Sequence, residues 1–549
     1  MTGIVPTEAP FLVVDLDLYA PGGTPGAPLL SWMEGAWMEI TRVPFTGEAV
    51  ESVRASDVGY VSRAADAGGV QAWPATLSLA LEIDRRADLA VNGTGAGASW
   101  GAIRLIDDGR YSGLAATRNT DARTARVRLG RKTWDADRML HVDPALATLT
   151  DVQVGVARNW QFEEQAVVVP LRDPSYWLER PLQATVYAGT GQMEGTASLA
   201  GRPKPKARGG TTAAPIREIA PVLIDPATNT YQYSDGPGTV VQVYEGGRAV
   251  FTAGADTTNL WAGSTAAGTY RTDNADGLFQ LGAAPVGDIT ADVTGAFPIA
   301  GTVTVASEIA RHLMTEDLGL PAGLVDTAAF STIASSVAWT AGAYWDGSSP
   351  TDGAEAVGHL LASIGARLLP TRGGLLRPVL IRAPSGTAVA SYDTGRILAV
   401  RILPPPVDPP ARRVRVGWRR IHTPRTGGLS AAITAARRQE LAEPFRFETV
   451  TSAAVAAAFR RPTDPAPIET ALTVQADATA LATAMGTLWS AKRLLLAVDL
   501  PILTALAREV GDLVRIDWPL GDLAGGKTGL VVGDRLSWTD QTGTLYVLV

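Results

Sequence analysis

Residues 171–210 read LRDPSYWLERPLQATVYAGTGQMEGTASLAGRPKPKARGG. They follow the run Ala166, Val167, Val168 and Val169, whose three valines favour a pleated strand. A turn leads through Leu182 and Gln183 into a Gly-rich loop, and the stretch closes on Arg202-Pro203-Lys204-Pro205-Lys206. Proline fixes φ at about −65° and offers no amide hydrogen, so Pro203 and Pro205 keep this segment extended at low entropic cost. The stretch therefore reads as an ordered crossing between two β-regions, with its positive charges seated on acidic groups of the same or an adjoining subunit.

Before the crossing, the chain reads as β-structure. From Val14 onward the first apolar run alternates, with Leu16 and Leu18 on one face and Asp15 and Asp17 on the other. Similar runs at 77–83, 102–106, 125–129 and 152–156 are separated by Gly, Asp or Pro clusters. After it, strands are expected at 240–243, 278–281 and 289–293. The period then changes. Val305, Ile309 and Leu313 recur at helical spacing, and Asp352-Gly353-Ala354-Glu355 has the form of a capping box ahead of the stripe Val357, Leu360, Leu361, Ile364 and Leu368. A strand at 375–381 follows. The run Pro404-Pro405-Pro406-Val407-Asp408-Pro409-Pro410 suits neither a helix nor a central strand, and it marks a boundary. Beyond it come a strand at 414–418, helices around 431–441 and after Asp477, and closing strands near 513–516, 529–532 and 544–549. The fold class expected is mainly β with α+β insertions, as several small barrel or sandwich domains. The divisions are an N-terminal β-domain (1–185), a connector and second β-domain (186–300), a small α+β domain (301–400) and a C-terminal β-domain with helices (401–549).

Composition narrows the function. The 549 residues are 46% hydrophobic, enough for several packed cores, and 57 glycines with 36 prolines imply many turns between short strands. A net charge of −7 calls for no polyanion partner of the whole molecule. With no cysteine, disulfides, thiolate metal sites and cysteine nucleophiles are excluded. No secretory signal is visible, and the most apolar stretch, 494–507, contains Asp499 and Pro501 and is too short for a bilayer. A soluble protein made in the cytoplasm is expected.

The chemical motifs weigh against catalysis. Gly521 to Thr528 spells GDLAGGKT, the letters of a phosphate-binding loop. That chemistry needs a following helix, and Gly529-Leu530-Val531-Val532 reads as a strand, so Lys527 is expected to bind no nucleotide. Gly97-Ala98-Ser99-Trp100-Gly101 has the spacing of a nucleophile elbow but runs into a strand instead of a helix. The histidines His141, His312, His359 and His422 show no metal-ligand spacing, and His312 and His359 read as packed or boundary residues on helices. The acidic pairs Asp15/Asp17, Asp107/Asp108 and Glu163/Glu164 read as solvated, although a glycosidase would use two carboxylates about 5 to 9.5 Å apart. Arg412, Arg413, Arg415, Arg419 and Arg420 with Trp418 form the densest basic patch. Without an aromatic-interleaved platform it suits a subunit interface better than a nucleic acid, with the segments near Asp107 and Glu163 as partners.

The order RPLQ…YAGTG…EG…L.GRPKP over 180–205, followed by Ala220-Pro221-Val222-Leu223-Ile224-Asp225-Pro226, Tyr231-Gln232 and Asp235-Gly236-Pro237, resembles the tail-tip baseplate hub proteins of long-tailed, siphophage-like phages and prophages. The likeness is strongest over 167–292. It extends more loosely to the capped helix at 352–364, to 414–418 and to Gly511-Asp512-Leu513-Val514-Arg515, and it fades over 20–150. What the resemblance implies is a virion structural protein, a homotrimeric hub assembled in the host cytoplasm and carried at the tail tip. Such a hub carries two similar β-domains per chain, giving six quasi-equivalent positions. It joins the distal tail protein and tape measure protein to a central fibre or spike, and it helps close the channel until host cell entry. It implies no enzyme, no catalytic, cofactor or metal residues, no stable nucleic-acid site and no membrane span. Two other readings stay open at this point: a receptor- or carbohydrate-binding tail protein, and a tail-associated cell-wall hydrolase.

Overall fold

The computed structural model describes residues 8–19, 38–42, 49–56, 61–62, 71–72, 80–91, 98–106, 120–137, 140–142, 144, 148–164, 166–538 and 540–549. The chain is mainly β with α+β insertions. Its dominant feature is a sheet of sixteen strands. Along this sheet the order runs Met38–Arg42, Ala49–Ser56, Glu8–Tyr19, Arg123–Asp135, Thr150–Ala157, Ala166–Arg172, Ala98–Ile106, Ala80–Arg86, Lys527–Ser537, Thr542–Leu548, Leu495–Pro501 and Ala399–Leu403. Strands from before the crossing thus continue, hydrogen bond by hydrogen bond, into strands from the last quarter of the chain.

The seam is an antiparallel pairing in which Ile83 faces Leu536 and Arg85 faces Asp534, while Ile83 faces Gly101 on its other side. Period-two alternation explains the burial. Ala125 and Val127 turn inward, and Arg126 between them is exposed. One core runs beneath both halves, with Ile83, Val127, Val167 and Val169 packed in the same cluster as Val498, Val514, Leu545 and Val547.

The crossing becomes structure in its own right. Strand Lys206–Gly209 pairs with Gly342–Trp345 and touches Ile289–Gly295, part of a five-stranded sheet with Ile216–Ile219 and Gly238–Glu245. A second five-stranded sheet lies over residues 222–281, and within it the rings of Tyr231 and Phe279 stack across neighbouring strands, 5.2 Å apart. Glycine is required at position 295, where strands Ile289–Gly295 and Lys206–Gly209 of the first of these sheets meet, because a Cβ there would run into the Ala207 carbonyl.

The helices surround a separate core. Ala306–His312, Thr327–Ser336 and Gly353–Ala362 bury Ile309, Phe330, Val357, Leu360 and Leu361 beside the hairpin Ala366–Pro370/Leu376–Leu380. The Asp352 carboxylate accepts the Glu355 amide at 2.7 Å, as the capping-box reading requires. Helix Thr327–Ser336 had no clear sequence signal, because its Ser and Thr residues obscure the period. Asp326 caps it through the Ala329 amide at 3.0 Å. Helix Gln475–Trp489 buries Leu481, Met485, Leu488 and Trp489 against strand Arg413–Trp418. No helix among the described residues is long and apolar enough to cross a membrane.

Candidate assembly site

Four segments distant in sequence meet at the seam of the long sheet. Arg85, on strand Ala80–Arg86, is 0% exposed and forks onto Asp534 of strand Lys527–Ser537, Nε to Oδ1 at 2.9 Å and Nη2 to Oδ2 at 2.8 Å. Its third nitrogen, Nη1, donates to Glu509 Oε2 at 2.9 Å and to the Pro370 carbonyl at 3.1 Å. Arg372, in the turn after strand Ala366–Pro370, also donates to Asp534, and its carbonyl accepts the Val154 amide at 2.8 Å. Each Asp534 oxygen is therefore held by an arginine, and the two sheet halves, the hairpin 366–380 and the loop at 506–512 share one buried ionic knot.

The electrostatics follow from this geometry. Burial would lower the Arg85 guanidinium, but the Asp534 and Glu509 carboxylates reverse that and hold it above its ordinary value. Burial would raise Asp534, and Arg372 with Arg85 instead hold it below the usual carboxylate range. Arg85 and Asp534 are thus held in their charged forms, whereas burial lowers Arg372. On the opposite face of the same strand, the half-exposed Arg86 pairs with the buried Asp84 at 2.8 Å and lies 4.2 Å over the Tyr546 ring, a second tie across the seam.

The crossing is seated as its charges require, within one chain. Lys204 reaches Glu194 at 2.8 Å, Lys206 reaches Asp317 at 2.6 Å and Asp235 at 2.9 Å, and Arg208 reaches Asp317 at 2.7 Å. Gln183 fixes the start of the segment by donating to the Lys204 carbonyl at 2.7 Å. Burial would raise Asp317, but Arg208 and Lys206 lower it.

Three arginines of the patch divide between two acidic residues. Arg413 and Arg415 share one face of strand Arg413–Trp418, but Arg419 lies beyond the strand at φ 51°. Their acidic partners come from the same chain: Arg413 pairs with Asp464 at 2.6 Å, Arg415 with Asp464 at 3.9 Å and Arg419 with Glu440 at 4.0 Å. Glu163, expected as a partner for this patch, pairs instead with Arg104 at 2.6 Å. Asp107 and Asp108 lie outside the described residues. The backbone register places Asp15 between Arg54 and Arg126 on neighbouring strands.

Thr528 and Gly529 lie inside strand Lys527–Ser537. The loop amides that would cradle a phosphate are already engaged, Gly525 on Asp517 Oδ1 at 3.1 Å and Gly526 on the Leu523 carbonyl at 3.0 Å. Lys527 faces Asp522 at 3.7 Å. Ser99 and Trp100 belong to strand Ala98–Ile106, and Gly97 is outside the described residues. His141 lies in the short strand Leu140–Val142. His312 closes helix Ala306–His312, its Nδ1 2.7 Å from Glu316 and its ring beside Phe297. Burial lowers His359 to about 4 and His422 to about 3, with Arg420 adding to both shifts. Among the described residues no three His, Asp or Glu side chains come together as a metal site.

No family model and no curated protein matches the chain. Among solved structures, the chain is similar to a tail protein from Neisseria meningitidis MC58, at 9% identity over 86% of this chain and 95% of that one, with a TM-score of 0.34. It is similar also to the 43 kDa tail protein of prophage MuSo2 from Shewanella oneidensis, at 9% identity over 88% and 96%, with a TM-score of 0.34. A third is prophage tail protein gp18 from Listeria monocytogenes EGD-e, at 8% identity over 88% and 91%, with a TM-score of 0.37. All three are tail proteins, two of them of prophages. Values at this level assign this chain neither a family nor a role.

Proposed function

We propose that this chain is a structural subunit of a phage tail tip, a hub that forms a homotrimeric ring between the tail tube and a central fibre or spike. The observation that carries the reading is the seam. One chain presents two β-lobes side by side in a single hydrogen-bonded sheet, and a buried ionic knot fixes the angle between them. Three such chains would offer six quasi-equivalent lobes to a hexameric tube.

The sheet also supplies a means of closing the ring. Among the described residues, its terminal strands Met38–Arg42 and Ala399–Leu403 each have one neighbour, so each presents a free edge. Pairing the second of these on one copy with the first on the next repeats, between chains, what the seam does within a chain. Such a head-to-tail contact is heterologous and closes under three-fold rotation. The distal tail protein, the tape measure protein and a central fibre or spike are the neighbours this role calls for, with the closed ring helping to hold the channel shut until host cell entry.

Native mass spectrometry of the purified chain tests the ring. A trimer is expected, with dissociation to monomers when proline is placed at the exposed Ile402 in the terminal strand, where it removes an amide that faces the open edge. A wild-type chain that stays monomeric at all concentrations, or a hexamer, contradicts the reading.

A further inference from the structure

Residues 419–445 leave the ladder between the adjacent strands Arg413–Trp418 and Arg446–Thr451 and reach across to the β-domain at 216–295. What holds them there is charge. Glu218 is 0% exposed, accepts the Thr290 hydroxyl at 2.6 Å, and receives Arg437 and Arg425 from the excursion. Asp292 is 1% exposed and accepts Arg217 Nη1 at 2.6 Å, the Tyr244 hydroxyl at 2.9 Å and the Glu218 amide at 2.9 Å. Glu440, on helix Ala435–Ala442, gathers Arg437 at 2.8 Å, Arg446 at 3.1 Å and Arg217 at 3.4 Å. The Thr423 hydroxyl donates to the Glu218 carbonyl at 2.5 Å, and the Ser430 amide donates to the Gly246 carbonyl at 2.9 Å.

The apolar share is small. Ile421, Leu441 and Phe445 are buried, the His422 ring meets Tyr344, and Leu429 and Ile433 reach Gly247, but most of the excursion's other side chains, from Arg420 to Pro444, are exposed. Its 419–446 sequence carries six arginines against two glutamates. Two non-glycine residues, one on each side of the contact, also sit in the left-handed region: Glu218 at φ 47° and Arg419 at φ 51°. Such conformations cost on the order of 1 kcal/mol or more and persist only where the surroundings impose them. Parting the contact takes Arg437 and Arg425 away from Glu218, while Asp292 keeps its partners Arg217 and Tyr244 inside the β-domain. Burial already lifts the Glu218 carboxyl above its usual range. An attachment built this way separates at far lower cost than an apolar core.

We propose that residues 419–445 are a releasable clasp, which locks the 216–295 β-domain to the ladder when closed and frees it when open. Hydrogen exchange of the full-length chain, read by mass spectrometry, tests this. Amides of 423–442 should exchange as one unit, at least about tenfold faster than those of strands Arg413–Trp418 and Ile289–Gly295. About 1 M salt should speed them further, because screening eases the separation of charges. Glu218→Gln should accelerate the same unit, and Arg437→Ala, on the partly exposed helix, serves if the first variant misfolds. Protection equal to the flanking strands, or a unit indifferent to salt and to a folded variant, overturns the clasp.

Discussion

The ionic knot at the seam makes a graded prediction. Asp534→Leu removes the carboxylate that both Arg85 and Arg372 share, and it leaves two cations in a site where Arg85 is 0% exposed. Three charge-assisted hydrogen bonds disappear, and at about 1.5–3 kcal/mol each a simple sum overstates the loss, because such bonds are not additive. Glu509 remains 2.9 Å from Arg85 and offsets part of it, so about 3–5 kcal/mol is expected, the range for breaking a buried pair from one side. Arg85→Met is the milder lesion. It fills much of the volume and leaves Asp534 with Arg372, so the cost should be roughly half as large. The assay is denaturant unfolding of both variants, with exchange followed at strands Ala80–Arg86 and Lys527–Ser537. Asp534→Leu should also loosen these two strands before the helical core. An Asp534→Leu cost under about 1 kcal/mol, or Arg85→Met as the more damaging change, would refute a seam held by this knot.

Further outcomes follow from the same coordinates. Lys527→Ala should leave assembly unchanged, and magnesium-dependent ATP binding that is lost in this variant would contradict the engaged loop amides. Asp352→Ala should cost about 1 kcal/mol of stability by removing the cap on helix Gly353–Ala362, measurable by denaturant titration. Gly295→Ala should prevent the 216–295 β-domain from packing on strand Lys206–Gly209, seen as early proteolysis of that region. His359 is held neutral, its value lowered from 6.5 to about 4, so its contribution is complete above pH 6.5 and is lost as pH falls toward 4. At about 1.4 kcal/mol per pH unit, up to about 3 kcal/mol goes over that interval, and His359→Gln should flatten the acid limb of a stability profile.

Much of this architecture is local, and local features were legible in the sequence. Alternation located the strands around Val127 and Val154, Asp352 with Glu355 announced its helix, and the prolines at 203 and 205 announced an extended crossing. The strand expected after the GKT letters is present, as Lys527–Ser537. The seam was not legible. Arg85 and Asp534 are 449 residues apart, and each alone looks like an ordinary outward charge on a strand; only the pairing register makes them face one another. The partners of the arginine patch were hidden for the same reason: Asp464 is 51 residues from Arg413, and Glu440 is 21 residues from Arg419, yet each pair is adjacent in space. Buried Glu218 carried no sequence signal at all, since a single acid before Ile219 reads as a solvated strand residue.

The central claim, two lobes of one chain occupying successive positions around a tail axis, is tested most directly by a cryo-EM map of the intact particle that locates this chain. The account predicts three copies around the axis, each with its two β-lobes rotated by roughly sixty degrees from one another and the sheet continuing from copy to copy. Six copies in true six-fold symmetry, or a single copy off the axis, would contradict it.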